Sequence, residues 1–541
     1  MSLANKETVV NAQKEMYAAA IASASQFLAK TPMAKEADQA LAVRALAAAH
    51  SGLKDKAKAD VEALLKNYPD SPELDKSLYE VAEVAYSNED WEWSGQLFAT
   101  LAAKGKTPKF FVPGLSGQAW SLYQSKQFAP AGKLFGRIAT DFPEHKDAAE
   151  SAFMQGKALV NDKKPAEAIP IFDAALQKFK DSKFAYLAGL EAARLRRDAL
   201  QYPEADKAYA AVLEKFPKPE HLDKILNEWA LSNYEGKDYA RSDEVFSKLI
   251  KEVPDSDLAD NAGLSLAESD LVSGKLDAAR EKFLALEKGP KSDETVQQTA
   301  LYQLIGIGVE KQDWADVRTQ GEALTKRFPE SKYRWFAEMH WAEADLNLNE
   351  PAKAIERLKT VVAQKGNATI ANEAWFAQAW VLLAEAQSRL KQYDDVAATV
   401  AACRAWKGDL PVLYILDEIA GRSLKAQAKF PEAIIIFQRI VDDPHGRRTE
   451  TAAKAQFMIG EIYLLQKAYA KAEAEFLKVE ILYKFPDWQA PALFQAAGCQ
   501  EELQHWKDAA KSYESLIKVY PKSEFAKMAA ERLPKVKLKV K

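Results

Sequence analysis

The feature that most narrows what this chain can fold into is a return of residue types every 37 residues. Phe98, Phe135, Phe172, Tyr209, Phe246 and Phe283 share one phase of that period, and Ser94, Ala131, Ala168, Ala205, Ser242 and Ala279 stand four residues ahead of them. A constant period of about 20 to 50 residues marks a solenoid, propeller or array. Extended both ways, the small-residue rail runs through Ala57, the six positions above, Val317, Ala354, Val396, Ala433, Ala472 and Ala509, which makes thirteen full repeats. The spacing is constant as far as Ala279 and then loosens, reaching 42 residues from Ala354 to Val396 and 39 from Ala433 to Ala472. Insertions near 405–412 and 480–488 are expected to account for the longer intervals.

Inside a repeat the periodicity is helical. From Ala453 to Leu465 apolar residues recur at spacings of three and four, giving one apolar stripe. A polar turn, Gln466-Lys467, leads to a second amphipathic run through Tyr469, Ala472, Phe476 and Val479. Two antiparallel helices per unit follow. Units close on an apolar or aromatic residue and proline, as in Tyr68-Pro69-Asp70-Ser71, Val253-Pro254-Asp255-Ser256 and Tyr520-Pro521-Lys522-Ser523. Proline cannot continue a helix, and the Asp or Ser after it is expected to cap the next one. Ala or Ser on the rail lets two backbones approach, so leucine at Ala131 or Ala168 is expected to overpack by roughly 1–3 kcal/mol.

The expected architecture is an all-α superhelical solenoid of antiparallel helix pairs, because a lone pair cannot bury its apolar face. Its expected parts are a partial repeat over 1–31, regular repeats over 32–291, less regular tryptophan-rich repeats over 292–521, and a cap helix with a basic tail over 522–541. Tyr17 and Ala20 fall at the phase of a second helix. The chain is therefore expected to begin inside a repeat, with any signal or anchor upstream.

Composition bounds the partners. Net charge is −4, with lysine and glutamate interspersed, which weighs against nucleic acid, and no apolar run is long enough to span a bilayer. Only the tail from Lys535 to Lys541 is a basic run, expected to be a frayed and solvated terminus. Cys403 and Cys499 lie in different repeats, so no disulfide between them is expected and the compartment stays open.

These units resemble the tetratricopeptide repeat family. A small residue sits mid-way along the first helix (Gly156, Ala193, Ala230, Ala342, Gly421, Gly460), an aromatic opens the second (Trp91, Phe128, Tyr202, Trp314, Tyr393, Trp506), and rail, ladder and proline follow in family order. The likeness covers about residues 5–533. Departures are the 37-residue period, longer than the family's, Pro165 and Pro351 in place of the aromatic, and Gly321 in place of a ladder residue. Longer units ending in Tyr/Phe-Pro-x-Ser resemble the bacterial cell-envelope branch, the Tol-Pal coordination proteins and outer-membrane assembly lipoproteins. That likeness implies a periplasmic or envelope setting, with a possible membrane-associated partner complex.

Motifs for chemistry do not assemble. None of His50, His145, His221, His340, His445 and His505 stands at metal-ligand spacing. Gly306-Ile307-Gly308 lacks the third glycine of a nucleotide loop, and Gly114-Leu115-Ser116-Gly117 has Gln118 where a nucleophile elbow needs glycine. The polar stretch from Asp442 to Arg448 reads as an inter-repeat turn. No catalytic residue, cofactor or metal is expected.

What remains is surface. The resemblance implies a concave groove lined by first helices that binds an extended peptide or a protein. Five of the twelve tryptophans, Trp335, Trp341, Trp375, Trp380 and Trp406, fall in one stretch. By phase Trp341 and Trp380 should be buried, while Phe336, Met339, Glu343, Gln378, Val381, Glu385 and Arg389 should face the groove. A secondary basic patch is Arg194 with Arg197, one helical turn apart and suited to a carboxylate. The expected function is a non-catalytic scaffold or adaptor. The alternative is a regulatory or recruiting subunit for an enzyme whose catalytic domain is on another chain; an enzyme in its own right ranks third.

Overall fold

The computed structural model describes residues 3–31, 34–105, 107–289 and 293–540. Met1, Ser2 and Lys541, which belong to the terminal expectations above, lie outside them. Among the described residues all regular structure is helical. The chain divides into two compact units, residues 1–265 and 266–541.

The first unit opens with one long helix, Leu3–Lys30, which carries both Tyr17 and Ala20. Six helix hairpins follow, from Ala37–His50 with Lys54–Asn67 to Leu222–Glu235 with Tyr239–Glu252. Seven more follow, from Ala259–Val272, a helix that contains the boundary between the units, with Leu276–Lys288 to Pro486–Glu502 with Trp506–Val519, and the second unit closes with Glu524–Lys537. Within each unit a helix packs on the next, and first helices of successive hairpins also pack on one another, so the core is distributed along the stack.

The rail and the ladder are that core. Every rail residue from Ala57 to Ala509 is buried, and so are the ladder residues Phe98, Phe135, Phe172, Tyr209, Phe246 and Phe283. Phe437, Phe476 and Tyr513 continue the ladder in the second unit. At Phe172, Phe437 and Phe476 the ladder ring sits where the first helix has no side chain, against Gly156, Gly421 and Gly460. A Cβ built on Gly156 would meet the Phe172 ring at 2.3 Å, and one on Gly460 would meet Phe476 at 2.7 Å. The mid-helix glycine is therefore a socket for the ring.

Each hairpin turns through one residue in the left-handed region: Gly52, Glu89, Lys126, Lys163, Leu200, Lys237, Gly274, Gln312, Asn349, Lys391, Ala428, Lys467 and Gln504. The next amide closes a six-residue loop back to the first helix, as Asp90 N does onto Ala85 O at 2.9 Å and Gln201 N onto Arg196 O at 2.8 Å. This is a Schellman closure, which satisfies carbonyls that the helix end would leave free.

Two expectations need correction. The long interval after Ala354 comes from an inserted 3-10 turn, Ala363–Gly366, and a one-turn helix, Ala368–Ala371, whose Asn367 side chain accepts from Thr369 N. Residues 405–412 add nothing to it, and the 39-residue interval after Ala433 spans the turn 443–449 and the longer helix Glu450–Leu465, ahead of 480–488. The boundary serines also divide. Ser182 and Ser523 cap the helices after them. Ser71 and Ser256, three residues ahead of a helix, instead donate to Asp38 and Asp223, each at 2.6 Å. There proline sets a turn and the serine ties one repeat to its predecessor.

Candidate functional site

Aromatic side chains in the second unit converge across three successive first helices. Tyr302, on Glu294–Glu310, stacks on Tyr333 at 4.4 Å between ring centroids and lies 4.6 Å from Phe336. Phe336, on Arg334–Asn347, meets His340 at 4.3 Å and Trp375 at 6.1 Å, the latter just ahead of Phe376–Arg389. All five rings are half-buried, so each offers an edge or a face to solvent. Burial, with Tyr333 and Glu373 adding to it, raises the Tyr302 phenol above its ordinary pKa. Such rings supply contact area at small entropic cost.

Beyond Trp375 the row turns inward. Phe376 packs on Trp406 at 5.3 Å, and Trp380 stacks on Trp406 at 6.1 Å. Trp341 and Trp380 are buried, as their phase requires. The Arg357 guanidinium lies 3.1 Å from the Trp341 ring centroid and reaches Glu338 and Asp345.

Phe336, Glu343, Gln378 and Glu385 are half-exposed and Arg389 is exposed. Met339 and Val381 are not groove residues: they are 1% and 7% exposed and share a core cluster with Ala342, Leu346 and Leu382. Neighbouring first helices pack side by side, so a residue one turn past Phe336 or Gln378 falls into the seam between them.

The charges on this face are mostly spoken for within the chain. Glu343 holds His340 at 2.8 Å. Glu385 contacts Arg389 at 3.3 Å and Arg422 at 2.7 Å, Arg422 reaches Glu418 at 2.8 Å, and Glu418 takes Lys454 at 2.8 Å. The result is an alternating row across three first helices. Arg389 also donates to Leu346 O at 2.9 Å, at the end of the preceding first helix.

The Arg194 and Arg197 patch needs a similar correction. Arg194 makes a two-pronged contact with Glu228, at 2.9 and 3.0 Å, and a longer one with Glu191. Arg197 bonds its neighbour Asp198. The carboxylate that Arg194 suits comes from the next repeat.

Sequence reasoning passed over a second cluster, in the first unit, formed by Tyr79, Glu83, Tyr86 and Trp120. The signal was present, since Glu83 and Trp120 stand eleven residues ahead of their rail residues, as Glu343 does. Among the described residues no three His, Cys, Asp or Glu side chains are grouped to hold a metal ion, and no helix is long and apolar enough to cross a membrane. Cys403 and Cys499 are free and buried, and burial pushes the Cys403 thiol up to about 11.

A family model described as a tetratricopeptide repeat-like domain matches residues 288–456, and a tetratricopeptide repeat model matches 228–256 and 491–523. No curated protein matches the sequence. Similar solved structures include Naa15/Naa10 bound to HypK-THB, with TM-score 0.40 and 11% identity over 98% of this chain and 95% of that one. Another is YrrB, a TPR protein with an unusual peptide-binding site, with TM-score 0.27 and 17% identity over 37% of this chain and 95% of that one.

Proposed function

We propose that this array of tetratricopeptide-like hairpins is a non-catalytic scaffold that holds an extended peptide segment of a protein partner on the first-helix face of the second unit. The half-buried row Tyr302, Tyr333, Phe336 and Trp375 carries the reading, because it sets rigid aromatic faces along three successive first helices. Glu343, Gln378, Glu385 and Arg389 beside it supply polar contacts, and the pairs Glu343–His340 and Glu385–Arg389 keep that rim ordered before a partner arrives. The boundary motif favours a bacterial envelope setting and a partner complex at a membrane.

The test is capture of a partner from an envelope extract by the purified chain, compared with a triple variant, Phe336→Ala/Glu343→Lys/Arg389→Glu. Selective loss of the partner in the variant supports the site, and equal capture by both proteins removes it. Fractionation of the native protein away from the envelope would remove the envelope setting alone.

A further inference from the structure

On the first-helix face of the first unit, a cleft of about 360 Å³ opens between Leu74–Ser87 and Phe111–Gln124. Tyr79, Tyr86 and Trp120 line it with Glu83, and Lys146 and Asp147, of opposite sign, stand together among its lining residues. A second cleft, of about 400 Å³, shares Tyr79 and Glu83 and extends toward His50 and Glu80. Glu83 thus stands on the rim between two depressions that together cross three successive first helices, the first being Ala37–His50.

The aromatic walls are fixed from behind. Tyr79 packs on Phe98 and Phe110 at 6.0 and 5.5 Å, Tyr86 on Trp91 at 4.7 Å, and Trp120 on Phe135 at 5.4 Å. Their free faces carry the negative side of the ring quadrupole, which attracts an ammonium or guanidinium.

Glu83 differs from the carboxylates of the second unit's face. Glu385, Glu418 and Glu461 each hold an intrachain cation. Among the described residues no Lys, Arg or His forms an ion pair with Glu83; its side-chain partner is the Tyr79 hydroxyl. Burial lifts the Glu83 carboxyl above its ordinary pKa, against the pull of that hydrogen bond. A cation placed beside it would reverse the lift.

We propose that this cleft is a receptor for a lysine or arginine side chain of an extended peptide, with Glu83 as the counter-ion and Tyr79, Tyr86 and Trp120 as the aromatic walls. Charge and shape both select this occupant, since the acidic group and the three aromatic rings line one cleft and the paired clefts give a path for chain on either side. The site is separate from the second-unit surface and stands or falls without it.

The test titrates the full chain into a fluorescein-labelled decapeptide of alternating alanine and lysine at low salt. The same peptide with acetylated lysines and one of alternating alanine and glutamate are the controls. The lysine peptide should bind, and both controls should bind at least about tenfold more weakly, because each removes or reverses the charge that Glu83 meets. Glu83→Gln should weaken the lysine peptide by about tenfold while circular dichroism shows the helical fold unchanged, and Trp120→Phe should weaken it less. Phe336→Ala, in the other unit, should leave it unaltered. Equal binding of the acetylated peptide, an unchanged affinity in Glu83→Gln, or no binding of the lysine peptide would each overturn the assignment.

Discussion

Single residues carry strain at the hairpin turns. Leu200 and Ala428 hold left-handed backbone with φ of 60° and 55°, which costs a residue with a Cβ about 1–2 kcal/mol and glycine almost nothing. Leu200→Gly and Ala428→Gly should therefore each stabilise the fold by about 0.5–1 kcal/mol, measured as a rise in melting temperature, although both add a glycine to the chain. An unchanged or lower melting temperature would show that the turn is set by its packing. Glu83 offers a second residue-scale test. Its raised carboxyl binds a proton more tightly folded than unfolded, so its contribution is most favourable below the ordinary carboxylate range and is lost as pH rises through the folded pKa. The melting temperature of Glu83→Gln should gain on the parent between about pH 4 and pH 7, and parallel profiles would contradict this. Sequence reasoning could not see the turn residues as a class. Glu89, Lys126, Lys163, Leu200 and Lys237 recur every 37 residues as faithfully as the rail, but across the turns, which elsewhere use Gly52, Gln312, Asn349 and Ala428, what is shared is a backbone angle and no single side-chain chemistry.

At the scale of the helix, the decisive contact is between ladder ring and facing glycine. An added methyl at Gly156 would sit inside the contact distance of Phe172, a ring fully enclosed on all sides. Gly156→Ala should cost about 1–3 kcal/mol by denaturant titration, and Gly156→Ala with Phe172→Leu should recover part of that loss. A single variant as stable as the parent would mean that the hairpin relaxes freely. Helix pairs, rail and ladder were legible because burial repeats the same residue types in every copy. The groove residues were only partly legible. Phase put Phe336, Glu343, Met339 and Val381 on the same face; Phe336 and Glu343 are half-exposed, but Met339 and Val381 are buried, because the seam between adjacent first helices covers the position that an isolated helical wheel leaves open. The pairing of Arg194 with Glu228 was hidden for a related reason: its partner lies 34 residues away, one repeat on.

At the scale of the whole molecule, order is passed from neighbour to neighbour within each unit. Each hairpin is buried by the ones beside it, and Ser71, Ser256 and the row from Glu385 to Lys454 add polar ties across successive repeats. Destabilisation should therefore spread along the stack by proximity. Hydrogen exchange on Gly156→Ala should show faster amides in the hairpins next to 148–178 than in those of residues 450–519, and uniform acceleration would point to a single cooperative core. The spacing of the repeats also makes the chain a ruler under tension. If it is pulled from its ends and gives way one hairpin at a time, each release should lengthen it by about 12–13 nm of contour, the extended reach of a 37-residue unit. The repeat that contains the inserted turn Ala363–Gly366 should release about 14–15 nm, which would mark its place in the force trace.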